Sequence, residues 1–443
     1  MARCAGGILS SLTSDQQRAL STTRSTPGPN RRLQFNYVPY PLWRRRLPLA
    51  LRPFRPLINR ALRQAYPIAE DQRPPKDAKQ LARYLDRFGL LPGIESHTLD
   101  STPVMLEKAA AATAATATTP VRIPAQWEPM EAVLLAWPIL YPPLWSLHAQ
   151  MAEALAPVAE VVICIPAATW AQGITAYLST RGTLTGDLAV KVRYLMLPLD
   201  DMWIRDYGPI IGYTADGTRA AVDAIYDYLP MYPQKRDDAM PRHFAAHEGL
   251  PLIDLPLHFE GGNLWSDGAG TLLVSDQVFY ANPYLERDGL EAALRRAFTF
   301  EKLIITPRLP LEETGHIDML MKLANANTVL LSAPTEATSR GRLHTLRALF
   351  ERETNAQGER YRLFELPTPP LVFNFWYPIR RSYTNALTVN GRVLVPVYGL
   401  PTDETALAVY AEAMPGYEII PIDCQAGING GGAVHCLTRE IPR

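Results

Sequence analysis

The chain is short of several things, and each shortage removes a class of protein. Its 443 residues hold only four cysteines, Cys4, Cys164, Cys424 and Cys436. They are too few and too scattered for a disulfide framework, and no C-x-x-C pair offers a zinc spacing. No run approaches the roughly 18 apolar residues that a membrane span requires. Net charge is missing as well: 44 Lys and Arg balance 44 Asp and Glu, so nothing global argues for a nucleic-acid partner. Charged residues make up 20% of the chain against 47% hydrophobic, which excludes a disordered polyelectrolyte. What remains is a soluble globular protein, expected in the cytoplasm, with chain enough for a sizeable core.

The charge balance conceals an asymmetry. Residues 1–70 carry twelve Arg, no Lys and only Asp15 and Glu70, so the remainder is correspondingly acidic. This leader is rich in Arg and Pro, as in Pro41–Leu51, and lacks the apolar core of a secretory signal. It reads as a poorly ordered arm. Lys79–Phe88 has the spacing of one short helix, and the Ala/Thr-rich stretch Ala109–Thr119 reads as a linker closed by Pro120. These features divide the chain into an irregular Arg-rich N-terminal extension, 1–120, and a main domain, 121–443.

The main domain repeats itself. Five Val- and Leu-rich segments read as strands: Glu131–Trp137, Asp216–Ala224, Asp267–Ser275, Asn325–Ser332 and Asn390–Val397. Apolar residues then recur at helical steps, as at Leu144, Leu147, Met151, Leu155 and Val158. Second strands follow at Val190–Leu197, Pro251–Phe259, Lys302–Leu309, Arg362–Leu366 and Tyr417–Cys424. They lead into W-I-R-D-Y-G-P, E-G-G-N, T-G-H-I-D, S-Y-T-N and N-G-G-G-A-V-H-C. Taking Asp206, Glu260, His316, Asn385 and Cys436 as markers, the spacings are 54, 56, 69 and 51 residues. Five strand–helix–strand units, each delivering a polar cluster at an equivalent place, predict an α/β fold with pseudo-fivefold symmetry. In such a five-bladed propeller the clusters converge at the centre.

The types that would meet there are informative. Asp206, Glu260 and Asp318 repel one another in an enclosed space and need a cation to justify their burial. A metal ion is one candidate. However, His316-x-Asp318 and His435-Cys436 give no recognised zinc spacing, and several hard oxygens beside one thiol form an awkward ligand set. A guanidinium is the other candidate: planar, always charged, with five N–H donors that two carboxylates can hold from two sides. Cys436 and His316 turn that binding site into a reactor. A thiolate attacks the guanidinium carbon, His316 protonates the departing ammonia, and water resolves the adduct. The thiol needs help to ionise, from a bound guanidinium or from His316. Gly430–Gly432 allow close backbone approach, and Trp203 can cover the substrate. His435 is set aside, because in an extended segment its side chain faces away from Cys436. The H-F-A-A-H sequence at His243 and His247 lacks the Glu of a zincin helix, so no metal is expected.

Six stretches carry a family resemblance: Trp127-Glu128-Pro129, D-M-W-I-R-D-Y-G-P at 201–209, E-G-G-N at 260–263, G-H-I-D at 315–318, S-Y-T-N at 382–385 and G-G-G-A-V-H-C-L-T at 430–438. Together, over about 122–443, they resemble the agmatine deiminase / bacterial-type peptidylarginine deiminase family. The first 120 residues find no counterpart. The resemblance implies a five-bladed, pentein-like propeller with Cys436 as nucleophile and His316 as general acid/base. It implies that Asp206 and Asp318 clamp the guanidinium, that Glu260 orients the histidine or touches substrate, and that Asn385 supplies a hydrogen bond. No cofactor is implied. Arg439-Glu440 stands where many relatives carry Gln residues, which weakens any close transfer of substrate.

The implied reaction is hydrolysis of a terminal guanidinium to a ureido group and ammonia. Agmatine, converted to N-carbamoylputrescine in putrescine biosynthesis, is slightly favoured as substrate. Peptidyl-arginine, converted to citrulline, is the alternative, and Arg380 or Arg381 would then read a carboxylate. An amidinotransferase shares the thiol-bound intermediate but passes it to an amine, and a silent scaffold would keep the fold alone. The sequence says nothing of oligomeric state.

Overall fold

The computed structural model describes residues 75–102, 104–109, 114–182, 191–226, 234–309, 312, 314–333, 340–374, 377–426 and 432–443. The Arg-rich leader and the expectation for Gly430 and Gly431 lie outside these residues. The described residues begin with helices α1 (Ala78–Arg87) and α2 (Ser96–Asp100), strands β1 (Leu106–Lys108) and β2 (Met130–Ala136) and helix α3 (Trp145–Leu155). Strand β3 (Glu160–Ile165), helix α4 (Thr169–Thr180) and strand β4 (Val192–Met196) complete this first part. A single turn α5 (Ile204–Tyr207) then leads to β5 (Ile210–Tyr213), β6 (Arg219–Ile225), α6 (Lys235–Asp238), α7 (Met240–Glu248) and β7 (Leu252–His258). Next come β8 (Trp265–Ser266), β9 (Thr271–Ser275), α8 (Gln277–Ala281), α9 (Arg287–Ala297) and β10 (Lys302–Thr306). They are followed by β11 (Met321–Asn325), β12 (Thr328–Ser332), α10 (Arg340–Arg352), β13 (Arg362–Leu366) and a hairpin, β14 (Val372–Asn374) with β15 (Tyr377–Ile379). The last unit holds β16 (Leu387–Val389), β17 (Arg392–Val397), α11 (Asp403–Ala413) and β18 (Glu418–Asp423), and β19 (Arg439–Pro442) ends the chain.

One pairing pattern recurs five times. In β5-β6-β7, β8-β9-β10, β11-β12-β13 and β16-β17-β18 the first strand runs antiparallel to the middle one, and the third runs parallel to it. The remaining sheet obeys the same rule through the chain end: β19 is antiparallel to β2, and β2 is parallel to β3. The middle strands are covered on both faces, as their continuous Val/Leu runs require; every residue of β9 and β12 is buried. Between β16 and β17 the turn is Asn390-Gly391, with φ of 42° and 85°. Positive φ at both central residues matches the twist of a two-residue hairpin and suits this pair.

Two expectations need correction. The strand following α3 is β3, not Val190–Leu197; the latter region is β4, added outside β3 after the extra helix α4. Glu160–Ile165 shows no period-two alternation because it is buried on both faces, so its pattern did not announce a strand. The extension is also not irregular up to residue 120. Asp77 caps α1 by accepting a 2.8 Å hydrogen bond from the Gln80 amide, and Leu81 and Leu85 pack against Gly173 of α4. Fully burying such leucines is worth roughly 1.5–3 kcal/mol each. Strand β1 pairs in parallel with β4, and Ala115 and Ala117 hydrogen-bond to Leu252 at 2.7 Å. These segments take up the free edges of β4 and β7, which a sheet would otherwise present to other chains.

The five polar motifs occupy equivalent places. Each lies where the chain leaves one sheet and enters the short antiparallel strand of the next: 201–209 before β5, 260–263 before β8, 315–318 before β11, 382–385 before β16 and 432–438 before β19. Those first strands are two to five residues long, too short to be read from alternation, yet they fix where each motif points.

Candidate active site

The nucleophile candidate sits on a turn. Residues 434–437 are not extended, which overturns the premise on which His435 was set aside. Asn385 organises this turn: its Oδ1 accepts from the amides of Ala433 at 3.1 Å and Cys436 at 3.3 Å, and its Nδ2 donates to Cys436 Sγ at 3.2 Å. The side-chain amide is thus engaged with the cysteine loop rather than held out for substrate. A Cβ on Gly432 would lie 2.5 Å from the Trp203 ring and 3.1 Å from Sγ, so glycine alone lets the loop pass between them. Trp203 is buried beside the sulfur, and the Arg205 amide donates to the Cys436 carbonyl at 3.2 Å, tying motif one to motif five.

The acid/base candidate is gripped from both sides. His316 Nε2 lies 2.5 Å from Glu260 Oε2, and its Nδ1 faces Asp206 Oδ1 at 3.4 Å. Gly262 makes this possible, because its amide donates to Asp206 Oδ1 at 3.2 Å and any Cβ there would meet His316 Nδ1 at 2.5 Å. Upstream, the Ser275 hydroxyl holds the Gly315 carbonyl, and the His316 amide donates to Thr314 Oγ1 at 3.1 Å. Asp318 completes the centre. Its Oδ2 lies 3.7 Å from Cys436 Sγ and accepts from His435 Nδ1 at 2.7 Å, while Oδ1 is buried without a partner.

Electrostatics separate these groups. Burial lifts the Asp206 carboxyl upward, only partly offset by His316, and lifts Asp318 to about 6. Burial alone would push the His316 imidazolium down, but Asp206, then Glu260 and Asp318, outweigh it and raise it to about 10. Cys436 is driven well above its ordinary value by burial, then by the Asp318 and Asp206 charges, with the Asn385 donor opposing. These shifts favour the neutral thiol at Cys436 and the protonated imidazole at His316. A cation between the two aspartates would cancel the charges that suppress the thiolate.

Of the residues expected at the site, Cys436, His316, Asp206, Asp318, Glu260, Asn385 and Trp203 come together. Arg381 does not contact them: its Nη2 donates to the Pro370 carbonyl at 3.3 Å and its guanidinium lies 5.8 Å from the Tyr398 ring centre. Arg205 is not the ion-pair partner of Asp206 that its position suggests; it binds both oxygens of Glu440. Sequence reading missed the layer beneath Asp318. His435, Gln126, Lys322 and Trp265 meet there although they come from four separate segments, and no spacing links them. Among the described residues no group of three or more His, Cys, Asp or Glu is arranged to hold a metal ion.

Known proteins share this arrangement of chain. The family model for Porphyromonas-type peptidyl-arginine deiminase matches residues 122–442, most of the protein and all six motifs. The chain belongs to that family. A Streptomyces coelicolor protein named "Putative agmatine deiminase" is 29% identical over 346 residues, covering 73% of this chain and 99% of its own. Among solved structures, the "Putative Arginine Deiminase" of Porphyromonas gingivalis superposes with a TM-score of 0.64 at 26% identity, covering 72% of this chain and 97% of its own. The agmatine deiminase of Enterococcus faecalis shares the fold with a TM-score of 0.65 at 21% identity, covering 75% and 100%. This member of the peptidyl-arginine deiminase family is a hydrolase acting on a guanidino C–N bond. Among the described residues no helix is long and apolar enough to cross a membrane.

Proposed function

We propose that this deiminase hydrolyses agmatine to N-carbamoylputrescine and ammonia through a thiouronium formed on Cys436. The observation that carries this reading is the meeting of Cys436 Sγ and Asp318 Oδ2 at 3.7 Å beside a histidine held between Asp206 and Glu260. The guanidinium lies between Asp206 and Asp318, whose burial is otherwise unfavourable. Its positive charge lowers the Cys436 pKa, so the thiol releases its proton to solvent and the substrate itself activates the nucleophile. Sulfur bonds to the guanidinium carbon and one C–N bond then breaks. His316, protonated at neutral pH, gives its proton to the leaving nitrogen, which departs as ammonia. Having lost that proton, His316 takes one from a water whose oxygen bonds to the same carbon. The C–S bond breaks with its electron pair going to sulfur, the proton of the added hydroxyl passes to that sulfur, and the ureido product leaves the thiol as it began. Glu260 and Asp206 keep the imidazole cationic until the transfer. In this reading the five sheets stand as blades around the axis on which the motifs converge, supported by their common pairing pattern.

Agmatine is favoured because the named residues are all buried or nearly so, which suits a slender substrate, and because curated relatives carry that name. The family description favours peptidyl-arginine as the second reading. Agmatine, free arginine and a blocked arginine peptide, each assayed for ammonia release, distinguish them. Turnover of agmatine at least tenfold above the peptide is expected; the reverse order replaces agmatine with peptidyl-arginine, and normal turnover by Cys436→Ala ends the covalent mechanism.

A further inference from the structure

The layer beneath Asp318 has a direction. Lys322, fully buried, donates to Gln126 Oε1 at 3.0 Å and to the Ala386 carbonyl at 2.9 Å. That contact fixes the Gln126 amide with its oxygen toward the lysine, so its Nε2 donates to His435 Nε2 at 2.8 Å. Nε2 of His435 is then an acceptor, and the ring proton lies on Nδ1, which donates to Asp318 Oδ2 at 2.7 Å. Every donor in the chain points toward the carboxylate. Trp265 stacks on His435 at 4.8 Å and 23°, holding the ring plane, and lies 4.9 Å from the Lys322 ammonium. Burial, then Arg205, Lys322 and Arg439, keep His435 neutral, so it serves as a donor without adding charge.

We propose that Lys322, Gln126 and His435 are positioning residues that keep Asp318 ionised, turning its partnerless Oδ1 toward the guanidinium. This rests on the deiminase reading for its purpose, although the geometry stands without it. A carboxylate left to itself at this depth would protonate or rotate; one strong donor on Oδ2 prevents both. The other ionisable groups facing Asp318 are His316, Arg205, Glu312, Cys436 and Asp206; those facing Lys322, whose ammonium burial pushes down to about 7, are Glu440 and Arg205, and all of these partners are intact in the variants below.

The test compares His435→Phe, which preserves the stack on Trp265 but removes the donor, with His435→Asn, whose amide can restore it. Two readouts are taken across pH: kcat/KM on agmatine, and alkylation of Cys436 by iodoacetamide without substrate. In His435→Phe the acid limb of kcat/KM moves up by a pH unit or more. Activity at neutral pH falls about 10- to 100-fold, chiefly through KM. Alkylation at neutral pH becomes faster, because a protonated Asp318 no longer suppresses the thiolate. Damage to the fold would lower activity and expose the buried Cys436 thiol at every pH alike, so the shift of the acid limb, with thermal unfolding unchanged, is what marks the positioning role. His435→Asn should recover most of both. Wild-type profiles in His435→Phe, or equal impairment in both variants, would overturn the proposal. Should His435→Phe fail to fold, Lys322→Met, three hydrogen bonds from Asp318, must show the same shift of the acid limb on a smaller scale; no shift overturns it. If the wild type releases no ammonia from agmatine, the substrate assignment fails while the alkylation profiles still decide the positioning role.

Discussion

Two histidines lie within one site, both fully buried, and their surroundings drive them in opposite directions. His316 faces Asp206 and Glu260 and is held as a cation; His435 faces Asp318 but also Arg205, Lys322 and Arg439, and is held neutral. Burial penalises the charged form of each. The difference comes from the count and sign of neighbours within a few ångströms. In the proposed mechanism one half of the site stores a proton for the leaving group, while the other keeps a carboxylate free of one. A centre built of like halves would do neither task.

The comparison can be broken at several points. The largest effect is expected for Cys436→Ser, since the weaker nucleophile should reduce kcat by about 10⁴ or more. Agmatine binding, measured by calorimetry, should persist; substantial turnover would show that neither half serves a covalent step. Next, His316→Gln removes the stored proton and should lower kcat by about 10²- to 10⁴-fold, measured at saturating agmatine. A loss confined to KM would move His316 from proton transfer to binding.

The wild-type pH profile sharpens the contrast without mutation. Burial lifts Asp318 to about 6 and lifts Asp206 likewise, so falling pH should neutralise the proposed clamp and kcat/KM should drop on the acid side. His316 loses its proton at about 10, so activity falls again on the alkaline side. The expected bell should cost about tenfold per pH unit beyond each limb. An acid limb near the ordinary carboxylate value would show that the aspartates are not as enclosed as the geometry has them. The smallest effect is expected from Gly262→Ala. The new methyl would stand 2.5 Å from His316 Nδ1 and 2.7 Å from Asp206 Oδ1, forcing the pair apart. A loss of about tenfold in kcat and roughly 1–3 kcal/mol of stability, read by thermal unfolding, is the expected cost.

Much of the fold was legible because its unit repeats. The middle strands and their helices announce themselves by Val/Leu runs and helical spacing, and α3 falls where the spacing from Leu144 to Val158 places it. The antiparallel strands did not show, since β8 has only two residues and cannot display a pattern. Nor did β3, whose burial on both faces erases alternation. At the site, Cys436, His316, Asp206, Glu260 and Asp318 could be named because each sits in a short polar motif at a regular interval. His435 adjoins the nucleophile, yet its direction depends on a turn rather than a strand, and the chain alone does not distinguish them. Asn385 was expected to supply a hydrogen bond without a stated partner; its side chain holds the Cys436 loop.

What the amino-acid sequence determined by itself is the chemistry available: one thiol, one histidine and three carboxylates, delivered by five similar units at nearly constant intervals. Tertiary structure alone decided the state of those groups. Whether a buried histidine carries a proton, or an arginine pairs with Asp206 or with Glu440, depends on distances across segments up to about three hundred residues apart, as between Gln126 and His435. Electrostatic energy follows those distances and the loss of water around them, and neither is written in the order of residues along the chain.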